Sequence, residues 1–320
     1  MQSMNRMLKK TTLGALFVSF AAILWGFDGM VLTPKLHHLD VGYVVFMLHA
    51  LPFLGMNLIF FREYKHIRTL SSSDLLFFFL IALFGGALGT LAIVKALFLV
   101  EFKALTIVAL LQKLQPVFAM LLARILLKER FGKNFLFWAA VALCGSYFLT
   151  FEFNRPEVAL SGKMLPAALY AILAAFSFGS ATVFGKRVLN KVSFQTALFF
   201  RYGLTSLIML AIVLANGKMG QLSQTTPTQW AFFALIGATT GSGAILLYYY
   251  GLRYITANVS TICELSFVVS SIVFDFLFNG HVLSPIQWVS SAVMLVAIYM
   301  ITIKQPEETE QASSSALCEA

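Results

Sequence analysis

Residues 21–26 read AAILWG, and residues 174–179 read AAFSFG. Ala21, Ala22 and Gly26 thus recur as Ala174, Ala175 and Gly179, an offset of 153 residues. Farther on, Gly85 and Gly89 recur as Gly237 and Gly241, an offset of 152. The second half of the chain repeats the first. Each half contains five long apolar runs, near 11–31, 41–61, 75–98, 104–127 and 134–151, then 164–185, 195–215, 228–250, 256–278 and 284–303. An odd number of spans per half forces the second copy to sit upside down in the bilayer. Repeats of this kind are common in secondary transporters, whose substrate site lies near the midplane between the halves.

Composition agrees. The chain is 59% hydrophobic and only 12% charged, with a mean hydropathy of +0.83. Soluble proteins carry about twice that charged fraction, and runs of roughly 20 apolar residues match the thickness of a bilayer. Lipid admits helices or closed barrels because backbone polar groups must pair internally. Barrel strands alternate apolar and polar residues; Leu75–Ala82, LLFFFLIA, does not. The expected fold is therefore all-α and membrane-embedded, ten transmembrane helices as two inverted five-helix repeats.

The net charge of +9 comes from basic residues between the spans, so topology explains it without a nucleic-acid partner. With the N-terminus inside, fifteen lysines and arginines fall inside, among them Arg62, Lys65, Arg68, Lys128 and Arg130. Five fall outside: Lys35, Lys103, Arg155, Lys163 and Lys218. The positive-inside rule then puts both termini in the cytoplasm, and the expected location is an inner membrane. The organisation reads as a basic arm (1–10), a first repeat (11–151), a polar linker (152–163), a second repeat (164–304) and an acidic, Ser-rich, disordered cytoplasmic tail (305–320). The partners implied are the lipid bilayer and a small-molecule substrate; nothing in the sequence calls for an oligomer.

Cys144, Cys263 and Cys318 are too scattered for a disulfide framework or a metal cluster. No HExxH, GxSxG or P-loop is present, so neither an enzyme nor an ATP-driven pump is indicated, and no cofactor is expected. The alternative to a transporter is a non-transporting membrane subunit whose buried charges bind a partner helix.

An ionisable side chain within the hydrocarbon costs roughly 2.5–3.5 kcal/mol on insertion scales, and usually faces a cavity or a partner. Asp28, Lys95 and Asp275 lie close enough to span ends to reach water. Lys113 lies about 14 Å into the fourth span, and Glu264 about 12 Å into the ninth, at 1.5 Å per residue. In a core about 30 Å thick both are near the midplane. Gln112 stands opposite Glu264 at the repeat offset, and His49 opposite Arg201. Lys113 and Glu264 either form a structural salt bridge or clamp the anionic and cationic groups of one substrate; alternatively Glu264 carries a proton. Arg201 can snorkel or hold an anion. Trp25 is the aromatic candidate, while the run Tyr248-Tyr249-Tyr250 belongs in part to the interfacial belt. Pro116 and Pro52 should kink their spans. Gly85, Gly89, Gly237 and Gly241 mark close helix approach, for packing or for sliding during gating.

Together, AAILWG and AAFSFG, Leu114-Gln115-Pro116-Val117-Phe118-Ala119 leading to Lys128-Glu129-Arg130, and Arg201 resemble the EamA-type members of the drug/metabolite transporter superfamily. The second repeat departs from that pattern with Val268 for Pro and His281 for Glu, and the first has His49 for Arg. The resemblance implies a central cavity lined by spans 1, 3, 4, 6, 8 and 9, and alternating access for small organic metabolites. With a cation and an anion at the midplane, the expected substrate is zwitterionic: an amino acid or a nucleotide-derived compound such as an S-adenosyl species.

Overall fold

The computed structural model describes residues 2–36, 38–99, 108, 111–154, 163–280 and 282–318. Among them every regular element is helical. Among the described residues, nine helices are long and apolar enough to cross a membrane: Leu8–Leu36, Val41–Ile59, Ser72–Ala96, Lys133–Phe151, Met164–Leu189, Phe194–Ala215, Pro227–Leu252, Ala257–Phe278 and Pro285–Lys304. These are spans 1–3 and 5–10. The shorter apolar helix Gln115–Leu126 is the second half of span 4. Most of the first half of span 4, Lys103, Arg155 with most of the linker, and His281 lie outside the described residues.

The polar residues between the runs start the helices. Asp40, Ser193 and Thr256 each accept a hydrogen bond from a backbone N–H in the first turn, and Ser71–Asp74 and Thr226–Gln229 form capping boxes. Span 1 outlasts its apolar run because a π turn, Asp28–Leu32, and a 3₁₀ turn, Thr33–Leu36, prolong it. The last helix likewise runs on from Pro285 to Cys318.

The packing obeys the repeat. Span 1 packs on spans 8 and 9, and span 6 on spans 3 and 4, while spans 2 and 7 pair, as do spans 5 and 10. Exchanging each span for its counterpart returns the same set. Two glycines show the symmetry at atomic scale. A Cβ on Gly179 would meet Gln115 O at 2.7 Å and Ala119 N at 3.0 Å. A Cβ on Gly26 would run into Ser270 Oγ and meet Phe267 O at 3.1 Å. Residue 267 is the repeat counterpart of residue 115 at the 152 offset. The two glycines that announce the repeat in the sequence therefore let spans 1 and 6 press onto the broken centres of spans 9 and 4.

Both Gly-rich segments are π turns, Ile81–Leu88 in span 3 and Gly237–Gly241 in span 8. Gly85 leaves room for Ala181 and Arg201, Gly89 for Phe178, and Gly237 for the Pro52 ring. Gly241 fits mainly against its own helix, at Ile236 O. Pro52 is accommodated within the continuous helix Val41–Ile59.

Candidate substrate site at the broken spans

Spans 4 and 9 are each interrupted near the middle, at Lys113–Leu114 and at Glu264–Leu265. Both interruptions turn tightly through i→i−3 bonds: Leu114 N donates to Leu111 O, and Leu265 N to Ile262 O. In span 4, Pro116 supplies no N–H for the Gln112 carbonyl, so the break follows from the sequence. Span 9 breaks at the matching place with Val268 where a proline would stand. A broken transmembrane helix survives where its freed backbone lines a cavity or meets protein, and such breaks mark the binding sites of inverted-repeat transporters.

Glu264 sits at the break of span 9 and draws four spans together. Its Oε2 accepts from Gln115 Nε2 of span 4 at 2.8 Å. Its Oε1 accepts from Tyr248 OH of span 8 at 2.9 Å, Ser260 Oγ at 3.1 Å and Thr182 Oγ1 of span 6 at 3.2 Å. The Thr182 and Tyr248 hydroxyls are themselves 2.8 Å apart. Trp25 of span 1 completes the group, its ring centroid 5.4 Å from that of Tyr248. All four donors to the carboxylate are neutral.

Lys113 does not join this group. Its ammonium donates to Ser146 Oγ of span 5 at 2.6 Å, so the cation and the anion at the midplane turn toward different neighbours. Gln112, beside the span 4 break, keeps its Nε2 buried and, among the described residues, without a hydrogen-bond partner. Arg201 is buried; its Nη1 donates to Tyr249 OH at 3.1 Å and its Nη2 to Gly85 O at 3.1 Å. The latter carbonyl belongs to the π turn of span 3, so Arg201 holds that turn against span 7. His49 Nδ1 lies 2.8 Å from Val45 O, and its ring lies tilted against that of Tyr202, centroids 5.1 Å apart.

Thr182 and Ser260 are not singled out by the sequence, and Gln115 and Tyr248 figure there only within the family motif and the tyrosine run. Ser260 lies one helical turn before Glu264, a spacing that puts both on one face. Tyr248 is hidden in a triple tyrosine run, of which Tyr248 and Tyr249 are buried while Tyr250 packs on Tyr254 and Phe17.

The end of the bundle where span 1 begins is closed by contacts between the repeats. Glu129 accepts from the first amides of span 9, Ala257 N at 2.9 Å and Asn258 N at 3.1 Å. Burial pushes the Glu129 carboxyl above its ordinary value, against the pull of those two amides and of Lys186. Lys191 pairs with Asp74 at 2.5 Å, and Gly14 abuts the Gly251 carbonyl.

Residues 12–151 and 165–303 each match the EamA-like transporter family, and the chain belongs to that family. It is a multi-pass membrane transporter of small molecules, not an enzyme. It is 58% identical over 290 residues to a protein of Fusobacterium nucleatum named riboflavin transporter ImpX, a match covering 90% of this chain and 97% of that one. It also superposes on a solved chain described only as a crystal structure of a protein. The TM-score there is 0.67 at 15% identity, over 95% of this chain and 98% of that one, a likeness of fold.

Proposed function

We propose that this chain moves riboflavin, or a closely similar neutral flavin, across the inner membrane by alternating access, with both termini in the cytoplasm. The observation that carries the reading is the midplane carboxylate of Glu264, surrounded by neutral donors and an aromatic pair, in a chain so similar to a riboflavin transporter. Riboflavin is an uncharged fused aromatic ring with an imide edge and a hydroxylated chain. The imide N–H suits Glu264, the ring carbonyls suit the amides of Gln115 and Gln112, and the ring faces suit Trp25 and Tyr248.

The zwitterion expected from sequence needs Lys113 beside Glu264, and Lys113 turns to Ser146 of span 5 instead. Arg201 turns its Nη atoms to Gly85 and Tyr249 rather than to the Glu264 group. Among the described residues no lysine or arginine hydrogen-bonds to Glu264 or to its four donors, which favours a neutral ligand and disfavours a phosphorylated flavin, whose negative charge Glu264 would repel. The breaks in spans 4 and 9 serve as the hinges, and the Glu129 contact to span 9 as the closure at one end.

The test is thermal unfolding of the purified protein with riboflavin, flavin mononucleotide and a set of amino acids. A ligand at about 100 times its dissociation constant stabilises the fold by about 2.7 kcal/mol. Stabilisation by riboflavin alone, absent from Glu264→Gln, is the expected result. Stabilisation by an amino acid with none from riboflavin would overturn the reading.

A further inference from the structure

Between spans 2 and 3 the chain forms a nine-residue 3₁₀ helix, Phe61–Thr69, reading FREYKHIRT. Such helices rarely exceed three or four residues; with three residues per turn, side chains three apart eclipse one another. The segment therefore carries three rows. Phe61, Tyr64 and Ile67 form an apolar row, 56%, 46% and 47% exposed, so each presents about half its surface outward. Arg62, Lys65 and Arg68 form the next row, all exposed. Glu63 and His66 form the third, half-buried against the protein: Thr196 Oγ1 of span 7 donates to Glu63 Oε2 at 2.5 Å, and His66 Nε2 is 3.6 Å from the same oxygen.

The three cations are stacked about 6 Å apart along the axis, from the 2.0 Å rise of this helix type. Among the described residues no acidic side chain pairs with any of them. Glu63 is engaged as above, and the nearby Asp74 is held by Lys191 and Ser71. Arg62 lies over the Phe61 ring at 5.8 Å, which ties the basic row to the apolar one. The segment begins two residues after Ile59, and Leu58 and Ile59 are 84% and 73% exposed on the outer face of span 2. The apolar row thus continues a surface that faces acyl chains, at the depth where headgroups begin. The loop after span 7, its counterpart in the second repeat, carries the single basic residue Lys218 between 216 and 226. The counterpart loop therefore has no such basic row.

We propose that Arg62, Lys65 and Arg68 bind the phosphates of anionic phospholipids in the leaflet at this end, with Phe61, Tyr64 and Ile67 seated among the acyl-chain ends. A like-charged row at this spacing is self-repulsive until an anion is shared along it, and anionic headgroups at a membrane surface supply a continuous line of such anions. Through Glu63 and Thr196 the bound surface also steadies the start of span 7. None of these residues belongs to the substrate site, so the inference stands apart from the flavin reading.

The experiment compares the natural protein with R62Q/K65Q/R68Q, and with R62K/K65R/R68K as the charge-preserving control. Lipid retained after detergent purification is measured by mass spectrometry, and the unfolding midpoint is followed as phosphatidylglycerol or phosphatidylcholine is titrated in. The natural protein and the control should retain phosphatidylglycerol and be stabilised by it, less so at high salt. The triple glutamine variant, whose changes lie on exposed side chains, should lose affinity about fivefold for each charge removed, as expected of basic residues at an anionic surface. Equal retention by the glutamine variant would overturn the proposal. So would equal stabilisation of the natural protein by phosphatidylcholine, or the same stabilisation by inorganic phosphate alone.

Discussion

Gly179→Ala should abolish high-affinity substrate binding although residue 179 touches no substrate group. The added Cβ would stand 2.7 Å from Gln115 O and 3.0 Å from Ala119 N, both backbone atoms of span 4. Ordinary contact begins near 3.4 Å, so span 4 must retreat from span 6 by about 0.7 Å at that point. The Gln115–Glu264 bond, now 2.8 Å, then stretches to about 3.5 Å, where a hydrogen bond is no longer made. Overpacking of this kind costs about 1–3 kcal/mol of stability. A lost hydrogen bond to a charged group costs about 1.5–3 kcal/mol, which is roughly a 10- to 150-fold loss of affinity if the ligand relies on that geometry. The assay is riboflavin uptake into proteoliposomes, with Gly220→Ala, where nothing lies within 4 Å, as the control. An unchanged apparent affinity in Gly179→Ala, with the protein folded, would refute the link between helix approach and the Glu264 geometry.

Four further outcomes follow from the structure. Tyr248→Phe removes one donor to Glu264 and should weaken flavin binding by about 1.5–3 kcal/mol in a fluorescence-quenching titration; Lys113→Met should leave that affinity essentially unchanged while lowering the unfolding midpoint, because Lys113 serves span 5. Arg201→Lys should destabilise the fold, since an ammonium cannot hold both the Gly85 carbonyl and the Tyr249 hydroxyl with a planar fork, and thermal unfolding reports the loss. Glu129 has a raised folded-state pKa, so its contribution to stability is full below its ordinary value of 4.5 and is withdrawn as pH rises through the raised one. Glu129→Gln should therefore flatten the decline in unfolding midpoint on raising pH from 4.5, and an unaltered slope would contradict this.

The spans were legible because apolar runs of bilayer length leave few other solutions, and the polar residues between them proved to be helix caps. The repeat was legible from glycines, and the reason is physical: Gly26 and Gly179 permit equivalent close approaches that a Cβ would block. The site was half legible. Counting residues into a span gives depth, and depth marked Glu264. It gives no azimuth, which is why Lys113, equally deep, reads as Glu264's partner in a salt bridge or a substrate clamp although it points to span 5. Gln115, Thr182 and Ser260 are neutral and cost little in a span, so nothing in their type sets them apart from ordinary packing residues. The break in span 9 carries neither proline nor glycine; it falls at Glu264, whose partners on spans 4, 6 and 8 come together only in the assembled bundle.

Uptake of labelled riboflavin into proteoliposomes containing only this protein, compared with the Glu264→Ala variant, tests the central claim most directly. Saturable uptake by the natural protein, competed by excess riboflavin but not by flavin mononucleotide or amino acids and lost in the variant, is the predicted result. Uptake no greater than that of protein-free vesicles, or uptake that Glu264→Ala leaves intact, would contradict the account.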